Sequence, residues 1–211
     1  MTSDDLLRGT AAALRDDLTG AIEAFERALE RDPSSLPAQL GLLDALARAG
    51  RLDDADRIAE QVLGRELVES GAFTAVARLR EQQGRPGDAA ALLTEADLGK
   101  DLSAYALYLR VLIEEGRFEE ALLEAERGLD WDLARPYALL AKGLSLLRVG
   151  EQTAAVETLA GVDAEEYDEL LSEWSSGVSA SGRADDVLHV LAAAPHNETA
   201  TALTRKLREA T

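Results

Sequence analysis

The feature that most constrains this chain is a seven-residue phrase that keeps returning. "AGRLDDA" occupies 49–55, "QGRPGDA" 83–89, "EGRFEEA" 115–121, "VGEQTAA" 149–155 and "SGRADDV" 181–187. Its glycines, Gly50, Gly84, Gly116, Gly150 and Gly182, recur at two alternating and nearly equal intervals along the chain. Five places after each glycine stands a small residue: Ala55, Ala89, Ala121 and Ala155, with Val187 last. An earlier copy puts Asp16 at the glycine position and Ala21 at the alanine position. Self-similarity at such a period marks stacked supersecondary units, none of which can bury its apolar face alone.

Each phrase has a local cause. Ahead of it runs a helical pattern such as "LPAQLGLLDALARA", where Leu36, Leu40, Leu43 and Ala47 share one face and Leu42, Leu46 and Ala49 another. A helix with two apolar faces needs neighbours on two sides. Glycine supplies the left-handed stop that other residues adopt at a cost. Asp or Glu then enters the first turn of the next helix, opposite its positive end, and Pro86 suits that turn because its missing N–H is not needed there. The phrase therefore predicts the tight turn of a helical hairpin. The alanine marks a helix crossing too close for a larger side chain.

Composition narrows the function classes. The chain has 40 acidic against 22 basic residues and a net charge of −18. Phosphate backbones are held by clustered Lys and Arg, so nucleic acid is not an expected partner, and anionic membrane surfaces are disfavoured for the same reason. Of the basic residues 19 are Arg and three Lys, which fits a GC-rich genome or a salt-adapted cytoplasm. No cysteine is present, which removes disulfides, zinc–thiolate sites and thiol nucleophiles together. The start, "MTSDDLLRGT", lacks the basic and apolar regions of a signal peptide, and no apolar run approaches the about 18 residues of a membrane helix. A cytoplasmic protein is expected.

In "AIEAFERALERDP" an A-x₃-F pattern falls at Ala21 and Phe25, followed by Ala28 and Pro33, and Gly9 and Gly143 stand at small positions in first helices. With the five glycines in phase, the chain resembles the tetratricopeptide repeat family. The resemblance implies an all-α fold: a right-handed superhelix of about six hairpins starting near 2, 36, 70, 102, 136 and 168. It covers residues 1–194, and 195–211 read as a C-terminal capping helix that starts at Asn197 and buries Leu203 and Leu207. Some units depart from the family pattern. The aromatic expected early in the first helix stands as Phe73 and Tyr105, but is Asp5 and Gln39 in the first two units. The two shorter glycine intervals, Gly84 to Gly116 and Gly150 to Gly182, imply shortened second helices or turns.

No catalytic constellation emerges. His189 and His196 have no metal-ligand spacing, the glycines end helices and do not follow strands, and the acid pairs sit at helix starts. No enzyme activity, cofactor or metal is expected. The family's first helices line a concave groove that binds an extended or helical peptide. Carried onto this sequence, its groove places give Asp44, Arg48, Arg78, Arg110 and Arg148, with Tyr137, Leu140 and Leu144 as apolar lining. Arg110 beside Leu144 suggests a planar fork for a ligand carboxylate or carbonyl. Asp44 and Arg78 share a place in adjacent units and could pair. A carboxylate clamp of Lys and Asn is excluded, since Asn197 is the single Asn. The expected function is a non-catalytic adaptor binding a peptide segment or protein surface. The alternatives are a self-associating scaffold and a regulatory or substrate-delivery subunit of a separate enzyme.

Overall fold

The structure is a computed structural model that describes residues 4–180 and 184–210, apart from the side chains of 177 and 180. Gly182, and residue 2 where the first unit is expected to begin, lie outside the described residues. Among those described there are thirteen helices and no strand: α1 (Asp4–Leu14), α2 (Leu18–Arg31), α3 (Leu36–Arg48), α4 (Leu52–Leu63), α5 (Ser70–Gln82), α6 (Pro86–Leu93), α7 (Leu102–Glu114), α8 (Phe118–Gly128), α9 (Arg135–Val149), α10 (Gln152–Leu159), α11 (Asp168–Ala180), α12 (Ala184–Leu191) and α13 (Glu198–Ala210). The fold class is all-α. The chain divides into two compact units, Met1–Arg85 and Pro86–Thr211.

In the first unit the turns follow the phrase. Gly50 has φ +72° and Gly84 φ +70°, while Asp16 takes the same left-handed conformation at φ +60°. Arg51 N–H donates to Leu46 C=O at 2.9 Å and Arg85 N–H to Arg80 C=O at 2.8 Å. These reach-back bonds satisfy carbonyls that a helix end leaves without partners. Phe25 on α2 is 3 % exposed and lies between two glycines. A Cβ on Gly9 of α1 would come 2.6 Å from its ring, and one on Gly41 of α3 2.5 Å. Two close approaches thus hold three helices around one aromatic, whose burial contributes roughly 2–3 kcal/mol. Ala21 and Ala55 have no exposed surface, as the crossing requires.

The second unit repeats the device at Gly116 (φ +72°) and Gly150 (φ +88°), and again Ala89, Ala121 and Ala155 are fully buried. The shorter intervals have a structural cause: α6 and α10 are eight residues each, against 11 for α8. The C-terminal helix compensates for the early end of α10. Thr199 Oγ1 lies within hydrogen-bond reach of the carbonyls of Leu159 (2.9 Å) and Val162 (2.6 Å), which share its one proton, and Asn197 Nδ2 donates to that of Val156 (3.2 Å). Asn197 Oδ1 meanwhile accepts from Ala200 N–H at 2.9 Å, capping α13. Leu203 and Leu207 of α13 are fully buried. Lys206 ties the helix to α11 through Asp168 (2.6 Å) and Ser172 (2.7 Å).

Candidate functional site

In the first unit, α3 and α5 carry three of the expected groove residues, Asp44, Arg48 and Arg78, and all three are exposed. Arg48 belongs to a small network. Its guanidinium stands 2.6 Å from Asp16 and 3.4 Å from Asp44, and it reaches the Ala13 carbonyl at the end of α1 at 3.4 Å. Partial desolvation disfavours its charge, but Asp16 and Asp44 outweigh that and raise its pKa. Asp44 is thus paired within its own helix, one turn from Arg48.

In the second unit the expected residues separate into two kinds. Tyr137 is half-buried and Arg148 exposed, both on α9. Burial, helped by the charge of Glu173, raises the pKa of the Tyr137 hydroxyl. Arg148 lies over the Phe118 ring, 5.8 Å from its centroid, at the wall of a 420 Å³ hollow shared with Arg117 and Glu120. Leu140 and Leu144, by contrast, have no exposed surface. Arg110 is only 9 % exposed, and its Nη1 lies 2.7 Å from Oε1 of the buried Glu114. Arg110 is therefore half of a buried ion pair one helical turn long, not an open fork, and the two leucines are core. Helix α9 packs against α7, α8 and α10, so its apolar residues are taken up by neighbours on several sides.

The sequence pattern missed an ion pair inside the phrase itself. Arg51 stands at the N-cap of α4, and its guanidinium meets Asp54 at 2.7 and 2.6 Å. Arg117 repeats this at the start of α8 with two bonds to Glu120, at 2.8 and 2.7 Å. The hydrogen bond from Arg117 is the main reason the Glu120 carboxyl titrates below the usual range, and Arg51 does the same for Asp54. The acids of the phrase thus face both a helix N-terminus and a neighbouring Arg. The i, i+3 spacing in "GRLDD" and "GRFEE" carried that signal.

Among the described residues no group of His, Cys, Asp or Glu could hold a metal ion, and no helix is long and apolar enough to cross a membrane. Residues 12–79 match the family model for the tetratricopeptide repeat. No curated protein matches the chain. A crystal structure of a thermophilic TPR protein from Thermus thermophilus is similar at 19% identity with a TM-score of 0.42, covering 100% of this chain and 98% of that one. That likeness is too loose to carry an argument, whereas the match over 12–79 falls on the turns and helices just described.

Proposed function

We infer that this tetratricopeptide-repeat protein works as a non-catalytic adaptor, holding a peptide segment or protein surface against the exposed faces of its first helices. Tetratricopeptide repeats generally mediate protein–protein interaction or scaffolding, and the repeat match over residues 12–79 is the observation that carries this reading. Within that stretch Asp44, Arg48 and Arg78 offer mixed charge on α3 and α5. In the second unit Tyr137 and Arg148 are the corresponding accessible residues, whereas Arg110, Leu140 and Leu144 are buried. The acidic chain favours partners that are neutral or basic overall.

Selection of a displayed random-peptide library against the full chain tests the proposal. Selected peptides should bind Arg78→Glu and Asp44→Lys variants about tenfold or more weaker, the loss expected when an interfacial charge is reversed. Peptides that bind both variants and Tyr137→Ala as tightly as the parent would move binding off these faces.

A second reading, self-association, has its own observation. Leu7 is 58% and Leu14 84% exposed, two helical turns apart on α1 and so on one stripe of that helix. Sedimentation velocity over a concentration series decides it. A dimer that Leu14→Glu abolishes supports self-association, and a monomer at all concentrations removes it.

A further inference from the structure

The second unit holds a cavity of about 470 Å³ lined by none of the groove residues discussed above. The segment after α6 supplies Leu98, α7 supplies Tyr105 and Tyr108, α8 supplies Glu124 and Arg127, and the turn after α8 supplies Trp131. Its size falls within the range of small-ligand pockets, about 300–1,000 Å³. The Tyr105 and Trp131 rings sit 5.9 Å apart, tilted by 52°, and give it a firm aromatic wall.

The polar groups of this cavity are unequally used. The Tyr105 hydroxyl donates to the Glu124 carbonyl at 2.9 Å. The Glu124 carboxylate is paired with Arg127, so the two charges largely cancel. Tyr108 is only 5% exposed, and its hydroxyl, which makes no hydrogen bond to a described residue, is the part of the side chain that meets solvent. Burial pushes its pKa up, so it remains protonated and able to donate. In a pocket of aromatic walls and balanced charge, that hydroxyl is the polar group left for a ligand atom to meet in place of water.

We propose that this cavity binds a planar aromatic group carrying one hydrogen-bonding atom, of which a phenol is the simplest case. The ring packs on Trp131 and Tyr105 and its polar atom meets the Tyr108 hydroxyl. Either a tyrosine side chain of a partner segment or a free small phenol supplies this chemistry. The site uses none of the residues assigned to adaptor binding, so either assignment can fail without the other.

Titration of the full chain with p-cresol, toluene and N-acetyl-leucinamide, followed through the Trp131 indole N–H signal, tests it. For so small a ligand p-cresol should saturate at about millimolar concentration. It should bind about three- to tenfold more tightly than toluene, the net value of one hydrogen bond exchanged for a bond to water. N-acetyl-leucinamide should not saturate. Tyr108→Phe should erase the preference over toluene, and Thr94→Trp, which fills the cavity from an exposed position, should abolish binding with the helical circular dichroism unchanged. A blocked Gly-Gly-Tyr-Gly-Gly peptide that binds more tightly than p-cresol assigns the site to a partner's side chain, and the reverse order assigns it to a free phenol. No saturation by p-cresol or the peptide, or binding that survives both substitutions, overturns the proposal.

Discussion

The hairpins α1/α2 and α7/α8 solve the same packing problem with opposite chemistry. Asp5 and Arg31 in the first stand at the same repeat places as Tyr105 and Trp131 in the other. In α7/α8 an aromatic pair closes the end of the hairpin, and a Cβ on Gly128 would collide with the Tyr105 hydroxyl. In α1/α2 a carboxylate only 2% exposed takes the ring's place, approached by Arg31, by Arg27 at 3.5 Å and by Arg8 at 4.0 Å. The second hairpin, α3/α4, has Gln39 and Arg65 at these places, both hydrogen-bonded to the loop at 33–34. One geometric slot therefore accepts a ring pair, an ion pair or an amide with an Arg. A ring contributes buried area, while a buried carboxylate depends on the partners that surround it.

The largest expected effect comes from emptying the two slots. Tyr105→Ala removes a buried ring that packs on Trp131 and should cost about 3 kcal/mol, the low end for an aromatic because one side of the ring faces the cavity. Asp5→Ala removes a charge whose partners, Arg27 and Arg31, are 45% and 64% exposed and simply return to water, so its cost should be about 1 kcal/mol or less. Urea unfolding with tryptophan fluorescence and amide exchange would show it. Equal losses at the two positions would erase the distinction between them.

Removing the partners should reverse the ranking within α1/α2. Arg27→Ala with Arg31→Ala leaves the buried carboxylate only the exposed Arg8 at 4.0 Å and should cost about 3 kcal/mol, well beyond Asp5→Ala. Adding Asp5→Asn to that pair should recover most of the loss, since the amide carries no charge to desolvate. Failure of the rescue, measured by the same urea midpoints, would show that the arginine stems and not their charges hold the helix.

The turns were legible in the sequence because their cause is local. Left-handed glycine followed by acid is written in adjacent residues, and even Asp16 at the glycine place could be read from its phase. What the slot contains was half legible: Asp5 and Gln39 stood out as departures from an aromatic. The residues at the other place of the slot, Arg31 and Arg65, did not, because only the folded hairpin brings such distant positions of the sequence together. The leucines failed for another reason. A leucine on a helix that packs on several sides carries no mark of which neighbour it faces, so Leu140 and Leu144 read equally well as lining and as core. Arg110 misled because its acid, Glu114, lies one turn along its own helix and not in the next unit.

A smaller effect separates ring from hydroxyl. Tyr105→Phe keeps the aromatic pair and loses one hydrogen bond, and should cost about 1 kcal/mol. Its pH dependence is more informative. Burial, aided by the charge of Glu124, raises the Tyr105 pKa above its ordinary 10.0. Its contribution is therefore full below pH 10 and is lost as pH rises above the unfolded value, where only the unfolded chain readily gives up the proton. The parent should lose stability above that pH faster than Tyr105→Phe does. Tyrosines occur only after residue 100, so α1/α2 has no such group, and amide exchange of α1 and α2 should show no alkaline step from this source.

The smallest effect concerns another acid of the first hairpin, Asp16, which stands where the later turns have glycine. A left-handed non-glycine residue costs roughly 1–2 kcal/mol, so Asp16→Gly should gain stability from the backbone alone. Against this stands the pair with Arg48, whose side chains are 36% and 80% exposed. Such an exposed pair contributes only about 0–1 kcal/mol and weakens with salt. Asp16→Gly should thus raise the melting temperature slightly, and more so in concentrated NaCl, where the pair it sacrifices is already screened. In an Arg48→Ala background the gain should appear in full at any salt concentration. If Asp16→Gly instead lowers the melting temperature in low salt and Arg48→Ala removes that loss, the Asp16–Arg48–Asp44 network contributes more than its exposure suggests. The first turn would then be held by charge just as its helix end is.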